Sequence, residues 1–538
     1  MSSSIADHGA MVTPTTAREV PDGAETPGGG AALGSRGVSA TPSREQSRRR
    51  DRFALRAALW ETSTLHSVRA CGRNMRGDLD EENGVAVKRA EASAGYGHLA
   101  TCGSPWACPR CTAVISVQRA EQIKRAIDHH TSTGGSVYFL TLTMRHNRGH
   151  HLAEEWDALS AGWRSVFGGP AWVGRKGRPR KDGTRLVTIG DRDRHGVLGT
   201  VRTVEATHGE AGWHLHIHAL LFFQDAEPFT DRDTEQRFGD RLFERWSRGV
   251  QNAGLPAPLR EHGLDLRRVA DGGEQFLADY LTKATADASA PKSETLTPAA
   301  RVGLEAAAGQ ITKKPRSGGR TPFQILRDAV AEDSMKPVKE RYHWRRPRGW
   351  REEKIDGDRV WVCVDPEAED CGTIRELDPV TGTACSIPSR DWALWHEWET
   401  ASRGRRQILW SQRVEEPETE RQRLWNEVLD ARGEDAEQDD ETLAEQELDG
   451  DRVAGIDYRD WLTRMCRKPS RLWGLLEAVE AVPLDEAGTA ATSWGDEHGV
   501  EVWRVSPEGQ IPADPPAPHS TSISASTSSS DDCPRCPL

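Results

Sequence analysis

The stretch Gly212 to Phe223, GWHLHIHALLFF, constrains this chain more than any other. Side chains alternate along a strand, so His214, His216 and His218 project to one side, and Leu215, Ile217, Ala219, Leu221 and Phe223 to the other. Three imidazoles on one face are costly to bury without partners, and imidazole is the commonest protein metal ligand. A fold built on this strand therefore needs a sheet with one apolar face and one face that carries polar chemistry.

A chain of 538 residues is too long for one core and predicts two or three domains with tails. Its formal net charge of -12 argues against a polyanionic partner only as an average. Residues 313–351 hold 12 Lys and Arg against 4 Asp and Glu, whereas residues 414–451 are dominated by carboxylates. That segregation suggests a polyanion-binding body with a solvated acidic tail. No apolar run is long enough for a bilayer, and Met1 precedes a Ser, Gly, Pro and Thr mixture without an apolar signal core. A cytoplasmic protein without a membrane partner is expected, in which ten cysteines serve as metal ligands or buried thiols.

Residues 1–50 are expected to be a disordered tail. Over 51–130, Cys71 is followed by Cys102, Cys108 and Cys111, the last two on a Pro-containing C-x-x-C knuckle. Four such thiolates satisfy a structural zinc site, with His98 as a substitute ligand and buried thiols as the bland alternative. The spacing then predicts a helix from Thr112 to about His130, a strand over Val137–Met144 and a helix over Leu152–Phe167. Residues 174–194 read as an exposed basic loop, either solubilising or in contact with phosphate. A strand over Val197–Glu205 and a turn over Thr207–Ala211 lead into the histidine strand. In such a hairpin Glu205 lies opposite Trp213 or His214, as an oxygen ligand or as a surface carboxylate. After a helix over Arg237–Val250 and a strand over Gly263–Val269, a helix around Glu274–Ala284 carries Tyr280 and Lys283 on one flank.

The ordered combination Phe139-Leu140-Thr141-Leu142-Thr143, Trp213-His214-Leu215-His216-Ile217-His218 and Tyr280-Leu281-Thr282-Lys283 resembles the rolling-circle replication initiators of plasmids, members of the HUH endonucleases. The Cys102–Cys111 knuckle and the stretches 319–324 and 401–411 are similar to the actinobacterial plasmid subgroup, so the resemblance covers roughly residues 70–412. It implies nicking of one strand at the plasmid origin, with a 5′-phosphotyrosine on the protein and a free 3′-OH. Tyr280 then matches the nucleophile, Lys283 a group that stabilises phosphate or phenolate charge, and His216 and His218 the metal pair. His214 is an extra ligand or a partner of its neighbours, and Glu205 a third ligand. Two imidazoles and a carboxylate suit Mg2+ or Mn2+. Some initiators carry a glutamate one turn before the tyrosine; Phe276 stands there in this chain, which leaves termination open.

Residues 291–412 read as a linker and a basic helical DNA-contact region, in which Arg341, Arg345, Arg346 and Arg348 interleave with Tyr342, Trp344 and Trp350. Aromatics among cations suit a strand-binding surface or a Trp-rich core rim. Cys363, Cys371 and Cys385 are spaced too irregularly for a second zinc site, and Cys533 and Cys536 lack other ligands nearby. Residues 413–538 are expected to be acidic and partly disordered. The expected fold is α+β: an HUH-type antiparallel sheet flanked by helices over 131–290, preceded by the zinc knuckle and followed by a mainly helical C-terminal region. Expected partners are double- and single-stranded origin DNA and the host helicase and polymerase. A transposase or relaxase of the same chemistry, or a zinc-containing DNA-binding regulator that does not cut, is the alternative.

Overall fold

The computed structural model describes residues 44–76, 84–90, 93–179, 181, 185–269, 319–335, 350–355, 358–363, 374–376 and 390–505. In chain order its first elements are α1 (Arg44–Thr62), α2 (His66–Ala70), β1 (Val85–Ala90), β2 (Ser93–Gly97), α3 (Pro109–Ser132), β3 (Ser136–Thr143), α4 (Leu152–Phe167) and α5 (Gly169–Val173). Next come β4 (Arg175–Pro179), β5 (Arg185–Thr188), α6 (Asp191–Arg194), β6 (Val197–Gly209), β7 (Gly212–Phe223), α7 (Arg232–Asn252), α8 (Arg260–Gly263) and β8 (Leu264–Arg268). After α9 (Pro322–Met335), the strands β9 (Trp350–Ile355), β10 (Asp358–Cys363) and β11 (Ile374–Glu376) pair antiparallel among themselves. The last part holds α10 (Arg390–Ser402), β12 (Ile408–Trp410), α11 (Glu420–Asp430), α12 (Asp440–Ala444), β13 (Asp451–Ile456), α13 (Tyr458–Asp460), α14 (Pro469–Glu480), α15 (Ala487–His498) and β14 (Val502–Arg504). The architecture is α+β with antiparallel sheets and helices, as expected.

The main sheet has the order β12-β6-β7-β3-β8 and is antiparallel throughout. Leu215, Ile217, Ala219, Leu221 and Phe223 of β7 face a core shared with Trp156 and Leu159 of α4, Phe238, Leu242 and Trp246 of α7, and the tryptophans of α10. Helices α4 and α7 approach closely where neither has a side chain: a Cβ on Gly249 would lie 2.7 Å from the Cα of Gly162. On the opposite face, Leu220 and Phe222 join Val137 and Val201 under Ile123, Ala126 and Ile127 of α3 and Trp425, Val428 and Leu429 of α11. Strand β7 is therefore amphipathic in its first half and apolar on both faces in its second.

A second antiparallel sheet, β14-β13-β1-β2, joins the two ends of the described chain. Val85 and Val87 pack there with Ala454, Ile456, Trp461, Leu472 and Leu475. Helix α1 serves both cores: Leu55 and Leu59 belong to the first, Trp60 to the second. The buried carboxylate of Glu399 on α10 accepts hydrogen bonds from Ser63 Oγ (2.6 Å) and from the amide and hydroxyl of Thr64 (both 3.0 Å), which ties α10 to the turn after α1.

Composition suggests a solvated acidic tail over 414–451, and the structure corrects this. Trp425, Val428 and Leu429 are buried, and the carboxylates near them meet the basic face of α3, with Arg119 to Asp440 at 3.0 Å and Arg125 to Asp435 at 2.9 Å. The charge excess of a segment does not reveal that its counter-charges sit far earlier in the chain. Among the described residues, no helix is long and apolar enough to cross a membrane.

Glu155 of α4 is fully buried, and neither of its carboxylate oxygens has a hydrogen-bond partner. Burial, with Glu397 and Glu154 nearby, pushes its carboxyl from 4.5 up to about 8. A group whose pKa is raised on folding favours the fold below its unfolded pKa, and that contribution is lost as pH rises through the folded value. The melting temperature of Glu155→Gln should therefore gain on that of the native chain between pH 4.5 and about 8. A difference that stays constant across that window would show that Glu155 is already ionised.

Candidate active site

The hairpin of β6 and β7 is closed by a two-residue turn, Glu210-Ala211, between the paired residues Gly209 and Gly212. Gly212 has φ +95°, a left-handed conformation that glycine adopts without strain. Pairing continues through Thr207 opposite His214 and Glu205 opposite His216. The turn is thus shorter than the sequence suggests, and Glu205 faces His216 instead of Trp213 or His214. β6 runs on to His208, which faces Trp213 across the ladder.

In this register three polar groups converge. His216 Nε2 and His218 Nε2 each lie 2.8 Å from the same oxygen of Glu205, and all three residues are nearly buried. His218 is held from two sides: its Nδ1 is 3.2 Å from Thr141 Oγ1 on β3, and its ring stacks on Phe139 with centroids 5.2 Å apart. The Nδ1 of His216 is buried without a partner. Two imidazole nitrogens and one carboxylate oxygen lie close enough to hold a single metal ion. Such a donor set fits a divalent cation that keeps coordination positions for water or a phosphate oxygen. His214 stands apart from this group. Its ring stacks on His146 at 4.6 Å, and burial, with His216 and His146 close by, pushes its pKa down to about 3.

A second constellation lies at the start of α3. Cys108 is the N-cap, Pro109 opens the helix and Cys111 follows in its first turn. Sulfur-to-sulfur distances are 3.6 Å for Cys71 to Cys108, 3.5 Å for Cys71 to Cys111 and 3.6 Å for Cys102 to Cys111, with no disulfide among them. The four sulfurs are close enough to share one ion. Two arginines lie beside them. Half-buried Arg110 is near Cys111, Cys71 and Cys108, while buried Arg56 has Cys71 and Cys108 among its neighbours and leaves Nε and Nη2 without hydrogen-bond partners. A guanidinium withdrawn from water needs a counter-charge. Four thiolates around a divalent ion carry two negative charges, which these two arginines would balance.

Of the residues singled out in the sequence, the structure brings together Glu205, His216 and His218, and separately the four cysteines. His98 remains outside the thiol cluster, with its backbone N–H donating to Glu447 Oε1 at 2.6 Å. Tyr280, Lys283, Arg341, Arg345, Arg346 and Arg348 lie outside the described residues. Phe139 and Thr141 belong to a motif that the sequence singles out, but their contacts with His218 do not follow from it, and Arg56 and Arg110 carry no sequence signal of their own. Thr141 was detectable in principle, since a hydroxyl on a strand next to a histidine strand is placed to orient an imidazole. Arg56 lies too far from the cysteines in the chain for any local pattern to reveal it.

Comparison with known proteins finds a Rep protein of Streptomyces lividans, 29% identical over 414 residues that make up 70% of this chain and 75% of that protein. A protein of Streptomyces cyanogenus named as a neomycin resistance protein is 26% identical over 352 residues, 61% of this chain and 70% of the other. The motif-based resemblance to actinobacterial Rep proteins thus extends to similarity over most of the chain. No family model matches, and no solved structure matches.

Two measurements probe these centres. Thr141→Val frees the His218 ring and should weaken Mn2+ binding on the order of tenfold, read as free Mn2+ by electron paramagnetic resonance; equal affinity would remove Thr141 from the site. Cys108→Ser should lower both the zinc content measured by elemental mass spectrometry and the melting temperature, and retention of both would reject a structural metal there.

Proposed function

We propose that this chain, similar over most of its length to a streptomycete Rep protein, is an actinobacterial plasmid replication initiator of the HUH type that nicks one strand of its origin. The observation that carries this reading is the convergence of His216, His218 and Glu205 on one point of a central antiparallel sheet. Such a donor set has no need of a phosphate-binding loop. It can bring a scissile phosphodiester and a cation together on a rigid strand pair.

In this reading Glu205, His216 and His218 hold Mg2+ or Mn2+, with Thr141 and Phe139 fixing the His218 ring. A divalent ion held by these residues would supply Lewis acidity to the scissile phosphate. Tyr280 supplies the nucleophile: its oxygen forms a bond to phosphorus, the bond from phosphorus to the 3′-oxygen breaks, the phenol proton passes to solvent and the 3′-oxygen takes one up. Lys283, three residues on in the sequence, neutralises charge on the phosphate. The four cysteines hold Zn2+ in a closed site, which is suited to structure and not to catalysis. Arg341, Arg345, Arg346 and Arg348 contribute phosphate contacts, and in the cytoplasm the host helicase unwinds the duplex while the polymerase extends the free 3′-OH.

Mass spectrometry of the protein after incubation with single-stranded origin DNA and Mn2+ tests the reaction and the attacking residue together. A covalent adduct mapping to Tyr280 is expected, lost in Tyr280→Phe and in His216→Ala. An adduct that persists in Tyr280→Phe would overturn the assignment, and a chain that binds DNA without nicking supercoiled plasmid would be a regulator instead.

A further inference from the structure

Strands β4 and β5 form a two-stranded ribbon that pairs with no other strand among the described residues. Its base is pinned between α5 and α6, where a Cβ on Gly190 would collide with Trp172 O at 2.2 Å. Beyond the base, Leu186 and Val187 are 61% and 60% exposed, and Ile189 is 56% exposed. Consecutive strand residues point to opposite faces, so neither face of the ribbon is packed on the body. A free ribbon exposing aliphatic side chains on both faces is a liability unless something covers it.

Charge indicates what that is. Between residues 174 and 190 the sequence has six cations (Arg175, Lys176, Arg178, Arg180, Lys181 and Arg185) against the single anion Asp182, in a chain of net charge -12. Arg175 and Lys181 are exposed, and neither makes an ion pair with another described residue. A membrane-surface element would gather its apolar residues on one face, which Leu186 and Val187 do not. Strand addition by another protein is hindered on β4, where Pro179 has no N–H and the pairing shifts between Lys176 and Pro179. A two-stranded ribbon does fit the major groove of B-DNA, about 12 Å wide, where cations meet phosphates along both walls and aliphatic groups meet thymine methyls.

We infer that the β4–β5 ribbon is a docking element for double-stranded DNA, separate from the centre formed by Glu205, His216 and His218. The inference rests on reading the chain as a protein that acts on DNA and adds to it the surface that holds the duplex. Removal of the ribbon's charge should therefore uncouple duplex binding from strand cleavage.

The experiment compares the full chain with the variant Arg175→Gln, Lys176→Gln, Lys181→Gln, Arg185→Gln. Fluorescence anisotropy with a labelled mixed-sequence duplex is recorded over a range of salt, alongside Mn2+-dependent cleavage of a single-stranded oligonucleotide and thermal unfolding. The variant should bind duplex on the order of tenfold more weakly, and its salt slope should be shallower by about one for each phosphate that the ribbon no longer neutralises. Melting temperature and single-strand cleavage should not change. Unchanged duplex affinity and salt slope would overturn the inference while leaving the nicking activity standing, as would a ribbon-dependent affinity for anionic phosphatidylglycerol vesicles in place of duplex. Duplex binding that depends on the ribbon in a chain that never cleaves would instead sustain the ribbon and reject the nicking function.

Discussion

The candidate site depends on the register of one hairpin. Side chains have a period of two along a strand, so a slip of one residue would turn Glu205 to the opposite face of the sheet. A slip of two in either direction would set it opposite His214 or His218, and its oxygen would no longer be shared equally between two rings. The register is held by the Glu210-Ala211 turn, by the positive φ of Gly212 and by the backbone of Asn147, whose oxygen would lie 3.1 Å from a side chain at position 212. Thr141 opposite His218 locks the same register from β3. The polar residues of the candidate site are thus positioned by backbone pairing on both sides.

That pairing matters because the sheet is not symmetrical. The face that carries His216 and His218 continues into Leu220 and Phe222, where α3 and α11 close a core. Side-chain exposure is 10% at His218 and 15% at His216, so the site sits at the margin of an apolar layer. A carboxylate in that position loses most of its hydration, and the two contacts of 2.8 Å offset the loss. Removing either ring would leave Glu205 short of a partner in a nearly dry place, so the three groups act as one unit.

Much of this was legible in the chain. The alternation around His214, His216 and His218, the strand at Val137–Met144, the helix over Leu152–Phe167 and the cysteine spacing each follow from local pattern. What escaped was long-range. Nothing near Val85 indicates that β1 pairs with residues 451–456, and nothing near Arg119 or Arg125 indicates that Asp440 and Asp435 lie against them. The position of Glu205 failed for a different reason: Thr207, His208 and Gly209 look like turn residues, yet β-pairing with His214, Trp213 and Gly212 keeps them in the strand. Tertiary pairing overrode local turn chemistry there.

The charge distribution follows from the same distinction between local and distant. Summed over the chain, charge argues against a polyanion, and summed over segments it argues for an acidic tail. In three dimensions part of the acidic segment is used internally: Asp435 and Asp440 pair with α3, and beside the thiol cluster Arg110 donates to the carbonyl of Ala444 at 3.0 Å. Carboxylates engaged in this way do not repel a nucleic acid as free ones would, because their field is cancelled within a Debye length of about 10 Å at moderate salt. What a distant phosphate feels is the uncompensated remainder. Arg175 and Lys181 on the ribbon belong to that remainder, while Arg119 and Arg125 do not. An overall acidic chain can therefore present a locally basic element, and the folding of the acidic segment onto α3 makes that possible.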